Sequence, residues 1–345
     1  MSLNSFIQSM PKVELHVHLE GSIRPETLLQ LAQRHGIQLP ANTVQGLRQW
    51  YTFTDFDHFI EVYGNICQCI RTPDDVELVA REFLAGQAAQ NVVYSEVTYT
   101  PYSQYLASGL AYDDQLTAIN QAREWAAKEM NVHMGLVLDI SRQLRPDEGL
   151  VTAEWAVQGK NDGVVALGLG GPEAGNPPEK FVEAFDLARS AGLHSVPHAG
   201  EISGPESIWG ALRVLKAERI GHGVNCLQDP ALVEELRRRQ IPLEVCPSSN
   251  VCLKVVPDFA AHPLPRLLAE GLLVTLNSDD PPMFNTTLTD EYLKAANVFR
   301  FDVETVEKLV LNALKVSFLP LEQKTAFEKR FRAEFLTLMA EHLRY

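Results

Sequence analysis

The 345-residue chain lacks any apolar run of about eighteen residues, and no basic segment leads into an apolar one near its start. A membrane span and a secretory signal are therefore not expected. Positive charge is also sparse: Lys and Arg number 30 against 44 Asp and Glu, a net of −14. That balance argues against nucleic acid as the partner and is compatible with a small neutral or cationic ligand. The five cysteines are Cys67, Cys69, Cys226, Cys246 and Cys252, with no Cys-x-x-Cys pair. An odd, unpatterned set suits reduced thiols in a cytoplasmic protein and leaves no structural zinc knuckle. Cys67 and Cys69 fall in a helical run, where residues two apart do not share a face, so they read as packing. No Gly-x-Gly-x-x-Gly follows the first strand, which removes the usual support for a dinucleotide fold. Linkers, low-complexity segments and short repeats are missing too, and 46% apolar with 21% charged residues is an ordinary globular balance. One domain spanning 1–345 is the expectation.

What the chain does have is concentrated first in Val13-Glu14-Leu15-His16-Val17-His18-Leu19-Glu20-Gly21-Ser22. Read as a strand, it alternates apolar residues with Glu14, His16, His18 and Glu20. Side chains two apart on a strand share a face, so His16 and His18 point the same way with Glu20 next along. Paired imidazoles in a core each need a hydrogen-bond partner or a metal. A metal is the reading adopted, provided the rest of the chain supplies further ligands.

Helix and strand patterns alternate along the whole chain. Helices are expected near 25–35, 53–70, 74–90, 112–130, 146–158, 178–190, 205–215, 229–239, 263–270, 289–299, 302–315 and 320–343. Strands are expected at the opening stretch and at 92–100, 133–140, 164–169, 194–198, 219–223, 242–246 and 272–277. Alternating β and α implies a parallel sheet with helices outside it. Eight such units favour a closed (β/α)₈ barrel, with extra helices inserted after the first strand and at the C-terminus.

In such a barrel, active sites form at the C-terminal ends of the strands. The first strand offers His16, His18 and Glu20; the fifth His198, with Glu201 three residues on; the sixth His222 between Gly221 and Gly223; the eighth Asp279 and Asp280. Five of the ten histidines fall in these strands, and only His194 lies at a far end. Three imidazoles and a carboxylate suit a borderline-soft divalent ion, zinc above others. A cation also lets adjacent carboxylates stay ionised, with Asp279 on the metal and Asp280 aimed into the pocket. Glu201 is separated from His198 by the Ala199-Gly200 turn and suits proton transfer beside a metal site. His222 either binds metal or acts as a base, a choice these patterns leave open.

The motifs His16-Val-His18-Leu-Glu-Gly, His198-Ala-Gly-Glu201, Arg219-Ile-Gly-His222-Gly and Ser278-Asp279-Asp280-Pro281 resemble the adenosine deaminase family of the amidohydrolase superfamily. Gly204-Pro205-Glu206-Ser207-Ile208-Trp209 and Cys246-Pro247-Ser248-Ser249-Asn250 extend the match. The resemblance implies one zinc on His16, His18, His198 and Asp279. It implies that Glu201 protonates purine N1 while His222 orients and deprotonates the attacking water. Asp280 would hydrogen-bond the purine and the nucleophile, and the Gly171 backbone would meet N3. Glu20 stands where familiar adenosine deaminases carry a ribose-touching Asp, as in the adenine deaminase branch; Gly221 instead matches nucleoside deaminases. The implied substrate is adenosine or 2′-deoxyadenosine, with adenine or a 5′-modified nucleoside such as aminodeoxyfutalosine as the alternative. The aromatic run Phe53, Phe56, Phe59 and Ile60 reads either as a water-excluding lid or as core.

Two other classes compete. A binuclear amidohydrolase would need a carboxylated Lys or a Glu on the fourth strand, and 164–169 offers neither. A non-catalytic nucleoside binder would tolerate gaps in the metal and proton-transfer set, which is intact here.

Overall fold

The structure, a computed structural model, describes residues 2–343. Eight parallel strands run in sequence order around one sheet: β1 Lys12–His18, β2 Val92–Tyr99, β3 His133–Ser141, β4 Val164–Gly170, β5 His194–Ala199, β6 Ile220–His222, β7 Leu243–Val245 and β8 Val274–Leu276. A bridge between Val17 and Asp279 joins the last strand's end back to the first, making a (β/α)₈ barrel. β2 is buried along its whole length, as a parallel strand covered on both faces must be. Two apolar layers fill the space between barrel and helices. One packs mainly outside the first four strands, and the other unites Leu15, Ile220, Leu243 and Val274 with the N-terminal and C-terminal helices.

The inserted helices between β1 and β2 are Pro25–His35, Val44–Trp50, Phe56–Cys67 and Pro73–Ala89; those after β8 are Leu288–Phe299, Val303–Val316 and Leu321–His342. Thr72 starts one of them with a capping box to Asp75 and Pro73 in the first turn. Among the described residues no helix is long and apolar enough to cross a membrane.

Several boundaries differ from the sequence patterns. β1 ends at His18; Leu19 turns into helical backbone and Glu20 lies in a short 3₁₀ turn, Glu20–Ser22, rather than along the strand. Phe53 precedes its helix, because the Asp55 carboxylate caps Phe56–Cys67 by accepting from the His58 N–H. β6, β7 and β8 each keep only three residues, since turns and side-chain hydrogen bonds take over at their ends. Leu3–Ser9, Val44–Trp50, Pro101–Ser108 and Pro247–Cys252 are helices without a clear apolar period, each seven residues or a little more or less in length.

Candidate active site

The strand ends gather the charged residues. Asn277 Oδ1 accepts both the Leu15 and His16 N–H groups, at 2.9 and 3.2 Å, beside an irregularity in the β1–β2 register. Across and just after that irregularity His16 and His18 turn toward β5, with ring centroids 4.4 and 5.1 Å from His198. His222 ends β6 at φ +59, and Asp279 lies just beyond β8 at φ +66. Such left-handed backbone costs about 1–3 kcal/mol at a residue with a side chain. At Asp279 it is held by two backbone hydrogen bonds: its N–H donates to His16 O at 3.1 Å and its O accepts from His18 N–H at 2.9 Å.

His16, His18, His198 and Asp279 place one ligand atom each within 4.8 Å of one another. His18 Nε2 and Asp279 Oδ1 are 3.2 Å apart, and the Nε2 atoms of His18 and His198 face each other at 3.1 Å. His16 donates from Nδ1 to Glu244 Oε2 at 3.0 Å, leaving a buried Nε2 without a partner and 3.5 Å from Asp279. A histidine fixed through one nitrogen presents the other as a lone pair. Burial holds His198 well below its ordinary value, so this ring is neutral. The donors, their convergence and the orphaned nitrogen fit a divalent cation. A second trio, His222, Cys246 and Asp279, is equally close, but burial pushes the Cys246 thiol well above its usual range.

Glu201 and His222 flank this group, with Oε2 and Nε2 3.6 Å apart. Burial, then the Asp279 and Glu173 charges, raises the Glu201 carboxyl well above the usual carboxylate range. Burial lowers His222 to about 3. Together these place a neutral acid beside a neutral base. Asp280 is likewise raised, by burial and then by the Asp279 charge. Its carboxylate lies where a Cβ on Gly21 would be, so the glycine admits it.

All three line a cavity of about 520 Å³ with His18, His198, Gly171 and Asp279. Its inner end is polar; Phe56, Phe59, Ile60 and Leu106 form apolar walls. The aromatic run thus serves two surfaces, because Phe59 also packs with Phe53 and Phe284 at 5.4 and 5.5 Å between centroids. His16 and Glu20 stand behind the lining. Glu20 is fully buried, accepting from the Thr100 N–H and hydroxyl through Oε1 and from Tyr63 through Oε2 at 3.3 Å.

The adenosine deaminase family model matches residues 11–333. The chain belongs to that family. It is 42% identical to the aminodeoxyfutalosine deaminase of Streptomyces avermitilis, over 99% of this chain and 94% of the relative. The crystal structure of an adenine deaminase from Arthrobacter aurescens superposes with a TM-score of 0.91 at 33% identity, covering 95% of this chain and all (100%) of the other. An amidohydrolase from Burkholderia ambifaria with bound zinc is 27% identical with a TM-score of 0.91, covering 99% and 95%.

Within this deaminase-family site, three residues escaped sequence reasoning. Glu173 accepts the N–H groups of Gly200, Glu201, Ile202 and Ser203 together with the Ser207 hydroxyl, and so fixes the loop carrying Glu201. Glu244 joins His16 to Arg219, which also pairs with Glu96 inside the barrel. A charged residue in the otherwise apolar stretch 242–246 was the available signal. Asp139, on β3, lines the cavity with its Oδ1 buried and unpartnered.

Proposed function

We propose that this chain hydrolyses the 6-amino group of an adenine-containing compound, and that its substrate is a 5′-modified nucleoside of the aminodeoxyfutalosine kind. The cavity carries this reading. At about 520 Å³ it is on the scale of pockets that enclose whole drug-sized ligands, ~300–1,000 Å³, and exceeds what a free base needs. Its polar inner end suits a purine and its apolar walls suit a further substituent. The aminodeoxyfutalosine deaminase likeness supports the same choice. Adenosine or 2′-deoxyadenosine, the first expectation from the motifs, has less support. Adenine is the second reading, favoured by the Arthrobacter aurescens neighbour and by Glu20 in place of Asp.

Zinc is the cation we assign to His16, His18, His198 and Asp279, and when bound it supplies Lewis acidity that makes water nucleophilic near neutral pH. Around it, His222 takes a proton from the attacking water while its oxygen bonds to C6. Glu201 gives its proton to N1, relieving charge as the C6–N1 double bond opens. Asp280 orients the water and the ring, and the Gly171 backbone meets N3. His222 passes its proton to the amino group, the new C6 hydroxyl gives its proton to Glu201 as the C6–N bond breaks, and ammonia and a 6-oxopurine leave. Each donor acts in a buried cavity, where hydrogen bonds to developing charge count most.

The test is a panel of adenine, adenosine, 2′-deoxyadenosine and aminodeoxyfutalosine, followed by loss of adenine absorbance. The highest kcat/KM is expected with aminodeoxyfutalosine. Adenosine as the best substrate would overturn the substrate assignment, and no turnover of any member would overturn the activity.

A further inference from the structure

The proton-transfer and metal groups leave one carboxyl of the cavity without a role. Asp139 belongs to β3 and is 3% exposed, with Oδ1 buried and unpartnered. Its register partner on β4 is Gly168. A Cβ placed on Gly168 or on Gly170 would collide with the Asp139 carboxylate, so two glycines of one strand open the space this carboxyl occupies. A buried carboxylate oxygen without a donor costs free energy on the order of 1–3 kcal/mol or more. Such a group calls for an explanation, and a ligand that supplies the donor is one.

The barrel's order says which part of a ligand that is. The acid, the base and the ring-orienting carboxylate come from the ends of β5, β6 and β8. Asp139 and Ser141 come from β3, and Thr100 directly follows β2. These polar residues line the cavity on strands that stand across the barrel from β6, with Asp139 reaching over Gly170 toward His198. A purine held with C6 against the reactive half turns its N9 substituent toward them. We propose that Asp139 is a substrate-binding specificity residue that accepts a hydrogen bond from a sugar hydroxyl, so that the site selects a nucleoside over a free base. This inference rests on the deaminase reading above.

The experiment compares wild type with Asp139→Asn and Asp139→Ser on aminodeoxyfutalosine, adenosine and adenine. In parallel, calorimetry measures binding of inosine and hypoxanthine, which needs no turnover. The expected result is a loss of about 10- to 100-fold in kcat/KM for both nucleosides, mostly in KM, the scale of leaving a buried hydrogen-bonding group without its partner. Adenine turnover and hypoxanthine binding should change less than about threefold, while inosine binding weakens in step with the nucleoside KM. Equal losses for base and nucleoside, or no loss in either variant, would overturn the proposal. If wild type deaminates nothing in the panel, the activity reading fails, and the inosine-to-hypoxanthine binding ratio still decides Asp139. The serine variant keeps the test usable should the amide disturb folding, with thermal melting as the check.

Discussion

Burial acts alike on Glu201 and Asp279 and yet leaves them in opposite states. Both carboxyls are fully enclosed, which disfavours charge in each. A hydrogen bond from His18 and the neighbouring His16 ring overcome burial at Asp279 and hold it well below the usual range. Glu201 has no such donor: its Oε1 is unpartnered, and the neighbouring Asp279 and Glu173 charges add to the effect of burial. One carboxyl is an anion suited to a cation, the other an acid ready to give a proton. Glu201→Gln keeps the shape and removes the proton, so kcat should fall by about 10²–10⁴-fold. Metal content and melting temperature should stay at wild-type values. Because the active form is the protonated one, wild-type activity is present below the raised Glu201 value and declines as pH rises through it. Unchanged turnover by the glutamine variant in a steady-state assay would remove Glu201 from the mechanism.

At the scale of elements, the strand ends explain both what the sequence reveals and what it hides. The barrel was legible because eight alternations of β and α leave few topologies. The residues gathered at the candidate site were legible because histidines and carboxylates at strand termini break the apolar pattern, as His198 and Asp279 do. Glu20 was misplaced along the strand, because period-two alternation does not show where a strand stops, and Leu19 already bends away. Glu173 and Asp139 were not singled out, since their roles depend on loops and strands brought close only by folding. Gly221 shows how tightly these ends are fitted. A Cβ there would come within 2.8 Å of His16 Cε1 and 3.1 Å of His198 Cα. Gly221→Ala should therefore displace one ligand ring and destabilise the chain by about 1–3 kcal/mol, the usual effect of overpacking. Elemental analysis and thermal melting should show metal below wild-type content and a lowered midpoint. Full metal content with an unchanged midpoint would mean that neither ring is held by that contact.

For the whole molecule, closing the barrel and assembling the cation site are one event. The same residues make the seam: Asp279 bridges to Val17 and exchanges backbone bonds with His16 and His18. Glu14 accepts the N–H and hydroxyl of Ser278, and Asn277 holds the β1 amides. A cation held by His16, His18, His198 and Asp279 would thus clamp the first strand to the fifth and to the end of the eighth. Since an unfolded chain cannot present those groups together, binding free energy becomes folding free energy. At a thousandfold excess over Kd the linkage amounts to about 4 kcal/mol. With an unfolding entropy of ~2.1 cal/mol/K per residue, a chain of this length should melt about 6 °C lower once the metal is stripped. Chelation followed by dialysis, then titration with zinc, should lower and then restore the midpoint with one ion per chain. Hydrogen exchange should rise most at β1 and the segment after β8, where the clamp acts. A midpoint indifferent to chelator and zinc would mean that protein contacts alone hold the seam.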